Sequence, residues 1–412
     1  MSASSSDGTV TAPKSQKIVK SLITPPTEEQ EAEYKTLEVL DVDIEQIEYL
    51  QTIGQGWAYP LKRFMNEQEL LECMQLKMIT GEDGKKHLLS VPITQHITEE
   101  DKKRFEGKKK IAIKCSKLSD EVLAVIEEPE IFENRKEEIC TRIFGTFGKT
   151  HPKVERILAQ GDWLISGKNM HFVKNVEFND GLDHYRMTPE QVNKIIEERN
   201  ADAVYAFQVR NPLHNGHVLM LTDTREQLLK QGYKNPVLLL HPLGGWCKDD
   251  DIPLDYRMRQ HQALLDDGTL NPDHTILAVW PSPMYYAGPT EVLWHASSRT
   301  ACNITHFITG RDPAGVKHPE IDGKDCYDMW HGQKLLGAVK DNLGIDILPF
   351  KFAAYNKVKK AMDFMGPDAN KDDFNLISGT KMRSMASKGE PLPEGFMSPK
   401  GWEVLCDYYK NK

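Results

Sequence analysis

Between residues 203 and 310 the chain alternates short apolar runs with segments of helical periodicity. The apolar runs are candidate strands at 203–209, 237–241, 275–280 and 305–310. The helical segments lie between them, at 217–232, 255–268 and 290–303. Strands of this kind, apolar almost without interruption, are typical of βαβ units in which helices cover both faces of a parallel sheet. Because such sheets bind ligands at the carboxyl ends of their strands, we expect the functional residues in the loops 208–217, 241–251, 281–289 and 310–319.

The first 195 residues have a different character. Residues 1–26 are small, polar and rich in serine, which predicts a disordered tail. They lack the apolar segment of a secretory signal, although an organellar targeting segment remains an alternative. Residues 27–195 are short mixed segments with candidate strands at 87–94 and 109–115, which indicates a β-rich domain. We place the α/β domain at 196–345 and a small α/β subdomain at 346–412.

Charge and composition exclude several classes of protein. The chain has 52 basic and 61 acidic residues, a net charge of −9, which argues against a surface that coats nucleic acid. No apolar run approaches the roughly 18 residues that a membrane span requires. The seven cysteines are scattered and form no CxxC pair, which indicates free thiols in a reducing compartment such as the cytoplasm. A small anionic ligand would need a local positive pocket.

The loop after the first candidate strand concentrates polar groups. It reads QVRNPLHNGH and contains Arg210, His214, Gly216 and His217. The two histidines are three residues apart, so at the start of a helix both rings lie on one face. Gly216 allows a ligand to approach the backbone, and a helix N-terminus offers N–H groups and partial positive charge to phosphate oxygens. We interpret Arg210, the two imidazoles and the helix end as an anion site built from local charge.

Other interpretations of these motifs remain open. A metal pair is disfavoured because HxxH lacks the i,i+4 spacing and the glutamate of HExxH, so we predict no metal site, whereas two structural histidines that cap the helix are plausible. A second motif, from Arg311 to Gly315, follows the strand at 305–310, and its alternative is a surface turn with Arg311 paired to Asp312. A third, ISGTKMR at 377–383, resembles a phosphate-binding helix start but also fits an ordinary N-cap by Ser378 or Thr380.

Taken together, five motifs resemble those of the ATP sulfurylase (sulfate adenylyltransferase) family. They are QVRNPLHNGH, HPLGGWCKDDD, PSPMYYAGPTEVLWHA, GRDPAG and ISGTKMR, and GWAYPLKRFMNEQE at 56–69 is similar to a further family motif. The resemblance covers residues 30–410. It implies a PUA-like β-rich N-terminal domain, a Rossmann-like HxGH nucleotidyltransferase domain with a parallel sheet, and a small C-terminal α/β subdomain. We expect a single-activity form without a kinase domain, because the string at 145–150 lacks the first glycine of a Walker A loop.

The resemblance also implies an activity and a set of site residues. The family joins sulfate to MgATP, giving adenosine 5′-phosphosulfate and pyrophosphate. Carried over by position, the sulfate contacts are Gln208, Arg210 and Ala314, and the catalytic residues are Arg210, Asn211, His214 and His217. The implied ATP contacts are Gln208, Val209, Arg210, Asn211, His214, His217, Gly310, Arg311, Asp312, Pro313 and Ala353. We expect Mg²⁺ only as MgATP, a homodimer, and neither a nucleic-acid nor a membrane partner.

Sulfate chemistry favours a mechanism of positioning and electrostatics. Sulfate oxygens are already ionised at neutral pH, so we expect direct in-line attack on the α-phosphate, without a general base or a covalent intermediate. One alternative is another HxGH adenylyltransferase that acts on an organic phosphate. A second is a catalytically inactive binding or scaffold protein on the same fold. We expect a cytoplasmic enzyme, or an organellar one if residues 1–26 act as a targeting segment.

Overall fold

The computed structural model describes residues 18–310, 316–366, 368–375, 379–392 and 395–412. The strands of the N-terminal domain are β1 (Val39–Asp41), β2 (Met78–Thr80), β3 (Lys86–Leu88), β4 (Gln95–Ile97), β5 (Lys110–Cys115), β6 (Ser119–Glu133) and β7 (Trp163–Phe172). Its helices are α1 (Glu28–Tyr34), α2 (Ile44–Gly54), α3 (Glu67–Leu76), α4 (Glu99–Phe105), α5 (Lys136–Phe144) and α6 (Pro152–Leu158). Five strands form one sheet in the order β1-β5-β6-β7-β4, and β2 pairs with β3. This confirms the predicted β-rich first domain.

One of the two strands predicted here is correct and the other is largely wrong. The segment 109–115 corresponds to β5, whereas of 87–94 only the start belongs to a strand. The remainder binds the next domain instead: the Ser90 hydroxyl donates to the carbonyl of Thr290 at 2.6 Å. The carbonyl of Pro92 accepts from the Tyr285 hydroxyl at 3.1 Å. Pro92 has no N–H for a ladder, which also disfavours a strand.

Part of the segment predicted as a disordered tail is packed. Ile23 forms a parallel bridge with Phe172 of β7. The backbone N–H of Leu22 donates to the carbonyl of Gly54 at 2.8 Å, and that of Val19 donates to the carbonyl of Ala301 at 3.0 Å. Residues 18–26 therefore belong to the folded domain, and residues 1–17 lie outside the described part of the chain.

The central domain has the predicted parallel sheet. Its strands are β8 (Ala203–Val209), β9 (Pro236–Pro242), β10 (Thr275–Leu277), β11 (His306–Thr309) and β12 (Asp346–Pro349). Its helices are α7 (Pro189–Glu198), α8 (Asn215–Lys230), α9 (Leu254–Asp266), α10 (Pro289–Arg299) and α11 (His331–Leu343), and short 3₁₀ turns occupy Asp183–Tyr185 and Pro272–His274. The order is β10-β9-β8-β11-β12, and every pairing is parallel.

Helices cover both faces of this sheet, as its apolar strands predict. Tyr205 and Phe207 pack with apolar residues of α8 and α9. Val204 and Ala206, which alternate with them along β8, pack with residues of α10, α11 and the N-terminal domain. Because β8 is central and buried on both faces, the loop that follows it lies in the middle of the edge at which sheets of this kind bind ligands.

The fifth strand was not predicted. Strand β12 pairs in parallel with β11, with Ile347 opposite Phe307, so the central sheet extends past the predicted boundary at residue 345. The strand lies at the edge of the sheet and is only partly buried, and therefore it lacks the continuous apolar run of the inner strands.

The chain ends in a small subdomain of the predicted α/β kind. Strands β13 (Ala353–Asn356), β14 (Ala361–Phe364) and β15 (Phe374–Asn375) form an antiparallel sheet in the order β14-β13-β15, and a 3₁₀ turn occupies Lys371–Asp373. Helices α12 (Gly379–Ser387) and α13 (Pro399–Asn411) follow. The sheet contacts α8, and α13 packs against α9, so the subdomain covers the start of α8. In the part of the chain that the structure describes, no helix is long and apolar enough to cross a membrane.

Candidate active site

The turn between β8 and α8 is fixed by neighbouring strands and helices. The carbonyl of Val209 accepts from the N–H of Leu243, just after β9, at 2.9 Å. The buried amide of Gln260 in α9 satisfies both backbone groups of Leu213: it accepts from the N–H at 3.1 Å and donates to the carbonyl at 2.7 Å. Because its backbone groups are bonded on both sides of the turn, this loop holds its side chains in defined positions.

His214 and His217 form a reciprocal cap at the start of α8. The Nδ1 atom of His214 accepts from the backbone N–H of Gly216 at 3.0 Å, and Nδ1 of His217 accepts from the N–H of His214 at 3.3 Å. Their rings are stacked, with centroids 3.9 Å apart. Since each Nδ1 is an acceptor, hydrogen bonding assigns the proton of each neutral ring to Nε2, which becomes a donor. The rings therefore share one face, as their spacing predicted, and they also cap the helix.

Desolvation favours the neutral form of these two half-buried histidines. It lowers the pKa of His214 to about 4, and burial together with the charge of His214 lowers the pKa of His217 well below its usual value. Near neutral pH both rings are therefore dipoles and not cations. Of the groups in the predicted anion site, Arg210 therefore supplies the positive charge and the two imidazoles supply polar donors, because desolvation penalises the charged form of each ring.

The helix end also differs from the sequence interpretation. The N–H of Asn215 donates to the carbonyl of Phe396 at 2.8 Å, and the N–H of His217 donates to the carbonyl of His214 at 2.8 Å. The N–H of Gly216 is bonded to His214, as described above. The predicted supply of free backbone donors is thus already used by capping bonds within the protein.

Arg210 is paired with a carboxylate that the sequence analysis did not single out. Its guanidinium donates to Asp251, and both side chains are largely buried, 14% and 7% exposed. Asp251 also accepts from the hydroxyl of Tyr286 at 3.0 Å, and the guanidinium carbon lies 5.3 Å from the centre of the Tyr286 ring. Burial acts to lower the pKa of Arg210, but Asp251, Tyr286 and Cys247 together outweigh burial and raise it overall. Arg210 is therefore the cation of this turn, held over an aromatic ring.

A second guanidinium lies close by and was also missed. Arg257 of α9 is 2% exposed. It donates to the carbonyl of Leu243 at 2.7 Å and to that of Ile252 at 2.9 Å. Asp251 and Tyr286 could have been found, because both lie in loops that the strand ends indicated. Arg257 carries no such signal, since one arginine in an amphipathic helix is typical of an exposed face.

The other predicted site residues divide into three groups. Gln208 is the next-to-last residue of β8, beside His241 of β9, and its Nε2 atom is buried without a hydrogen-bond partner among the described residues. Val209 is buried, Asn211 is exposed, Gly310 is half-buried, and Ala353 opens β13 in the sheet that contacts α8. Arg311, Asp312, Pro313, Ala314, Ile377 and Ser378 lie outside the described residues, as does the side chain of Thr380. The structure thus brings Gln208, Arg210, His214 and His217 together at the carboxyl end of β8.

No metal centre is evident in the ranges that the structure describes. They contain no group of three or more His, Cys, Asp or Glu side chains that could hold an ion. All seven cysteines are free, in agreement with the sequence analysis.

Comparisons with known proteins agree on one family. The family model described as ATP-sulfurylase matches residues 183–408, and a PUA-like domain matches residues 11–174. ATP sulfurylase 2 of Arabidopsis thaliana is 44% identical over 393 residues, which cover 95% of this chain and 82% of that protein. ATP sulfurylase 4, chloroplastic, of the same plant is 45% identical over 364 residues, covering 88% and 76%. Sulfate adenylyltransferase of Carboxydothermus hydrogenoformans is 32% identical over 392 residues, covering 93% and 96%.

A solved structure shares the fold. It is described as a hexameric APS kinase from Thiobacillus denitrificans, and it superposes with a TM-score of 0.69 and 17% identity. The match covers 94% of this chain and 66% of that one, and at this identity it supports the fold alone. The family model spans both the turn after β8 and the C-terminal subdomain, and the three relatives match between 88% and 95% of this chain. The chain therefore belongs to the ATP sulfurylase family.

Proposed function

We propose that the protein is a sulfate adenylyltransferase, which converts MgATP and sulfate into adenosine 5′-phosphosulfate and pyrophosphate. One observation carries this proposal: a largely buried arginine, Arg210, lies beside two neutral histidine donors at the carboxyl end of β8. Membership of the family and the names of the relatives support the same reaction. The arrangement suits two anionic substrates that must be brought together.

Sulfate is proposed to bind at Gln208, Arg210 and Ala314. Sulfate is a dianion that only accepts hydrogen bonds, so it requires donors and positive charge. The guanidinium of Arg210 supplies a planar pair of donors, and the buried Nε2 of Gln208 has no partner among the described residues. Attraction between opposite charges strengthens as solvent is excluded, which favours a largely buried cation over a surface lysine.

The nucleotide is proposed to bind along the same edge of the sheet. His214 and His217 would donate from Nε2 to phosphate oxygens, and because they are neutral they orient the phosphates rather than neutralise them. Asn211 completes the proposed catalytic set. The proposed ATP contacts are Gln208, Val209, Arg210, Asn211, His214, His217, Gly310, Arg311, Asp312, Pro313 and Ala353.

We propose direct in-line attack of sulfate on the α-phosphate, without a covalent intermediate. The low pKa of His214, about 4, supports this mechanism, because so weak a base would remove a proton inefficiently and sulfate carries none to remove at neutral pH. Catalysis then depends on orientation and on donors placed around the phosphate that changes charge. Mg²⁺ is proposed to arrive bound to ATP, as part of the substrate.

Assembly and compartment are part of the proposal. We propose a homodimer that acts in the cytoplasm. An organelle is the alternative, and one relative is named as chloroplastic. Imaging a fluorescent protein fused to residues 1–26 distinguishes the two compartments, and light scattering of the purified protein tests the dimer.

The decisive experiment measures pyrophosphate release from MgATP with and without sulfate. We expect release only with sulfate, together with formation of adenosine 5′-phosphosulfate. Release that needs an organic phosphate acceptor instead would support the other HxGH adenylyltransferase, and no release with any acceptor would support the inactive scaffold.

In the same assay, Arg210→Lys should lose about 10²-fold in rate, because a point charge cannot reproduce the fork of donors. Arg259→Lys, a matched change at an exposed arginine paired with Asp407, should retain full activity.

A further inference from the structure

The carboxylate of Asp251 occupies an unexpected place for a protein that binds anions. It is 7% exposed and is bonded to the arginine that we assign to sulfate. A negative charge at this distance repels an incoming dianion, so its presence needs a compensating advantage. The same Asp251 oxygen, Oδ2, accepts from both Arg210 and the hydroxyl of Tyr286, so the ion pair is part of a network of three side chains.

Three hydrogen bonds hold Asp251 in this position, two that it makes itself and one that fixes its partner Tyr286. The hydroxyl of Tyr286 donates to it at 3.0 Å and accepts from the backbone N–H of Lys248 at 2.8 Å, so one hydroxyl joins both ends of the turn. The N–H of Asp251 donates to the carbonyl of Lys248 at 3.0 Å. Tyr286 itself has φ of +57°, a left-handed conformation that a tyrosine adopts only when its surroundings require it. The local backbone is thus arranged around this carboxylate.

The turn is also anchored to the N-terminal domain. The N–H of Trp246 donates to the buried carboxyl of Glu48 in α2 at 2.9 Å. The carbonyl of Trp246 accepts from the N–H of Met284 at 2.8 Å, which ties this turn to the loop that bears Tyr286. Asp251 is therefore fixed to two loops of the central domain and, through Trp246, to the first domain.

We infer that Asp251 is a positioning residue for sulfate: it holds the guanidinium of Arg210 over the end of β8 in the orientation that sulfate requires. This inference rests on the proposed function. An arginine side chain has several rotatable bonds, and an unrestrained one would lose that freedom only when sulfate binds. A fixed carboxylate imposes the order beforehand. Arg210 is one of three proposed sulfate contacts but only one of eleven proposed ATP contacts, so we expect the larger effect on sulfate binding.

The test is Asp251→Asn in the full-length protein, with the Michaelis constants of both substrates measured separately. The amide keeps the size of the carboxylate and its acceptor for Tyr286, but it loses the ion pair with Arg210. We expect KM for sulfate to rise about tenfold, equivalent to about 1.4 kcal/mol, and KM for MgATP to stay within about twofold. A carboxylate that acted mainly by repulsion would give the opposite sign, a lower KM for sulfate.

Two further variants make the result specific. Asp250→Asn alters the neighbouring carboxylate, which is exposed and paired with Lys248, and it should leave both constants unchanged. Tyr286→Phe removes one of the contacts that hold Asp251 and should raise KM for sulfate by a smaller factor; it decides the question if Asp251→Asn does not fold. If the wild type is active and Asp251→Asn has an unchanged or lower KM for sulfate, the inference is overturned. Absence of sulfate-dependent turnover in the wild type would instead overturn the proposed function.

Discussion

At the scale of single residues, burial decides how the two histidines of the HxGH turn work. Their spacing predicts that they share a face, and the stacked rings confirm it. The spacing does not predict their charge, because the same residues at an exposed helix start would titrate near pH 6.5. Here desolvation lowers the pKa of both rings, so the turn offers polar donors beside a single cation, Arg210.

His214 has two roles that one substitution can separate. His214→Asn should preserve the cap, because asparagine is among the best N-cap residues and its Oδ1 can accept from Gly216 in place of Nδ1. It should remove the Nε2 donor, and we expect turnover to fall about 10²-fold while the melting temperature changes by at most a few degrees. Calorimetry and the pyrophosphate assay measure the two effects.

The matched control is His184→Asn, at an exposed histidine remote from the cap in sequence, which should alter neither quantity. A His214→Asn variant with wild-type turnover would show that the ring serves only to cap the helix. A large loss of stability would show instead that asparagine does not replace it as a cap.

At the scale of elements, the start of α8 is a crowded junction. The N–H groups of its first three residues are bonded within the protein, and one of them is bonded to Phe396 of the C-terminal subdomain. The Nδ2 of Asn215 also donates to the carbonyl of Gly395 at 2.6 Å, and the ring of Phe396 lies 5.4 Å from that of His214. The C-terminal subdomain thus contributes directly to the order of the HxGH turn.

Glycine is required at position 216 because neighbouring side chains leave no room for a Cβ atom, and not because of its backbone angles. A Cβ atom at this position would lie 2.8 Å from His214 and 2.8 Å from Met362 of β14. We expect Gly216→Ala to displace the His214 ring and reduce turnover at least about tenfold. Overall stability should change little, because the preference for alanine over glycine in helices, about 1 kcal/mol, offsets the cost of the displacement. Circular dichroism melts and the pyrophosphate assay give both quantities.

Gly337→Ala in α11 serves as the comparison, since nothing lies within 4 Å of a Cβ there. This variant should be slightly more stable and fully active. Equal activity of the two alanine variants would contradict the role of close approach at the HxGH turn.

At the scale of the whole molecule, the first two domains share one hydrophobic core. Buried residues from the N-terminal sheet and from the central sheet belong to a single cluster. Trp57 is fully buried at their junction, where its indole N–H donates to the carbonyl of Met187 at 3.1 Å. Its own carbonyl accepts from the hydroxyl of Ser298 at 2.9 Å. We therefore expect the stability of these two domains to be coupled.

Buried neutral histidines predict how this stability depends on pH. Burial lowers the pKa of His214 to about 4 and that of His261 to about 3, and His217 and His241 shift in the same direction. In the unfolded chain these groups bind protons below about pH 6.5, whereas the native state does not. The free energy of unfolding should therefore be greatest above about pH 6.5. It should decrease as the pH falls further, by up to about 1.4 kcal/mol per pH unit for each histidine.

Urea denaturation at pH 7.5, 6.5 and 5.5 measures this slope. Carboxylates of ordinary pKa titrate below this window. Burial raises the pKa of Glu48 well above its usual value, so this one group opposes the slope that the four histidines produce. His261→Leu removes a buried ring whose two nitrogens have no partner among the described residues, and it should reduce the slope. A free energy of unfolding that rises on acidification would contradict the prediction.

Local pattern accounts for most of the fold. The continuous apolar strands predicted the parallel sheet, and the HxGH spacing located the turn after β8. Pattern was less reliable where an element is short or lies at an edge: of the predicted strand 275–280 only Thr275–Leu277 is a strand, and β12 was missed. These segments gain their structure from neighbours that are distant in sequence, which periodicity does not record.

The amino-acid order alone thus established the family, the class of fold and the arginine and histidines at the strand end, because each depends on spacing within a few residues. The charge of the histidines, the use of the helix N–H groups and the partner of Arg210 depended on the folded chain. Asp251 lies 41 residues from Arg210, and Phe396 reaches the start of α8 from the C-terminal subdomain. Burial and long-range contact decide these properties, since both exist only once distant segments have packed together.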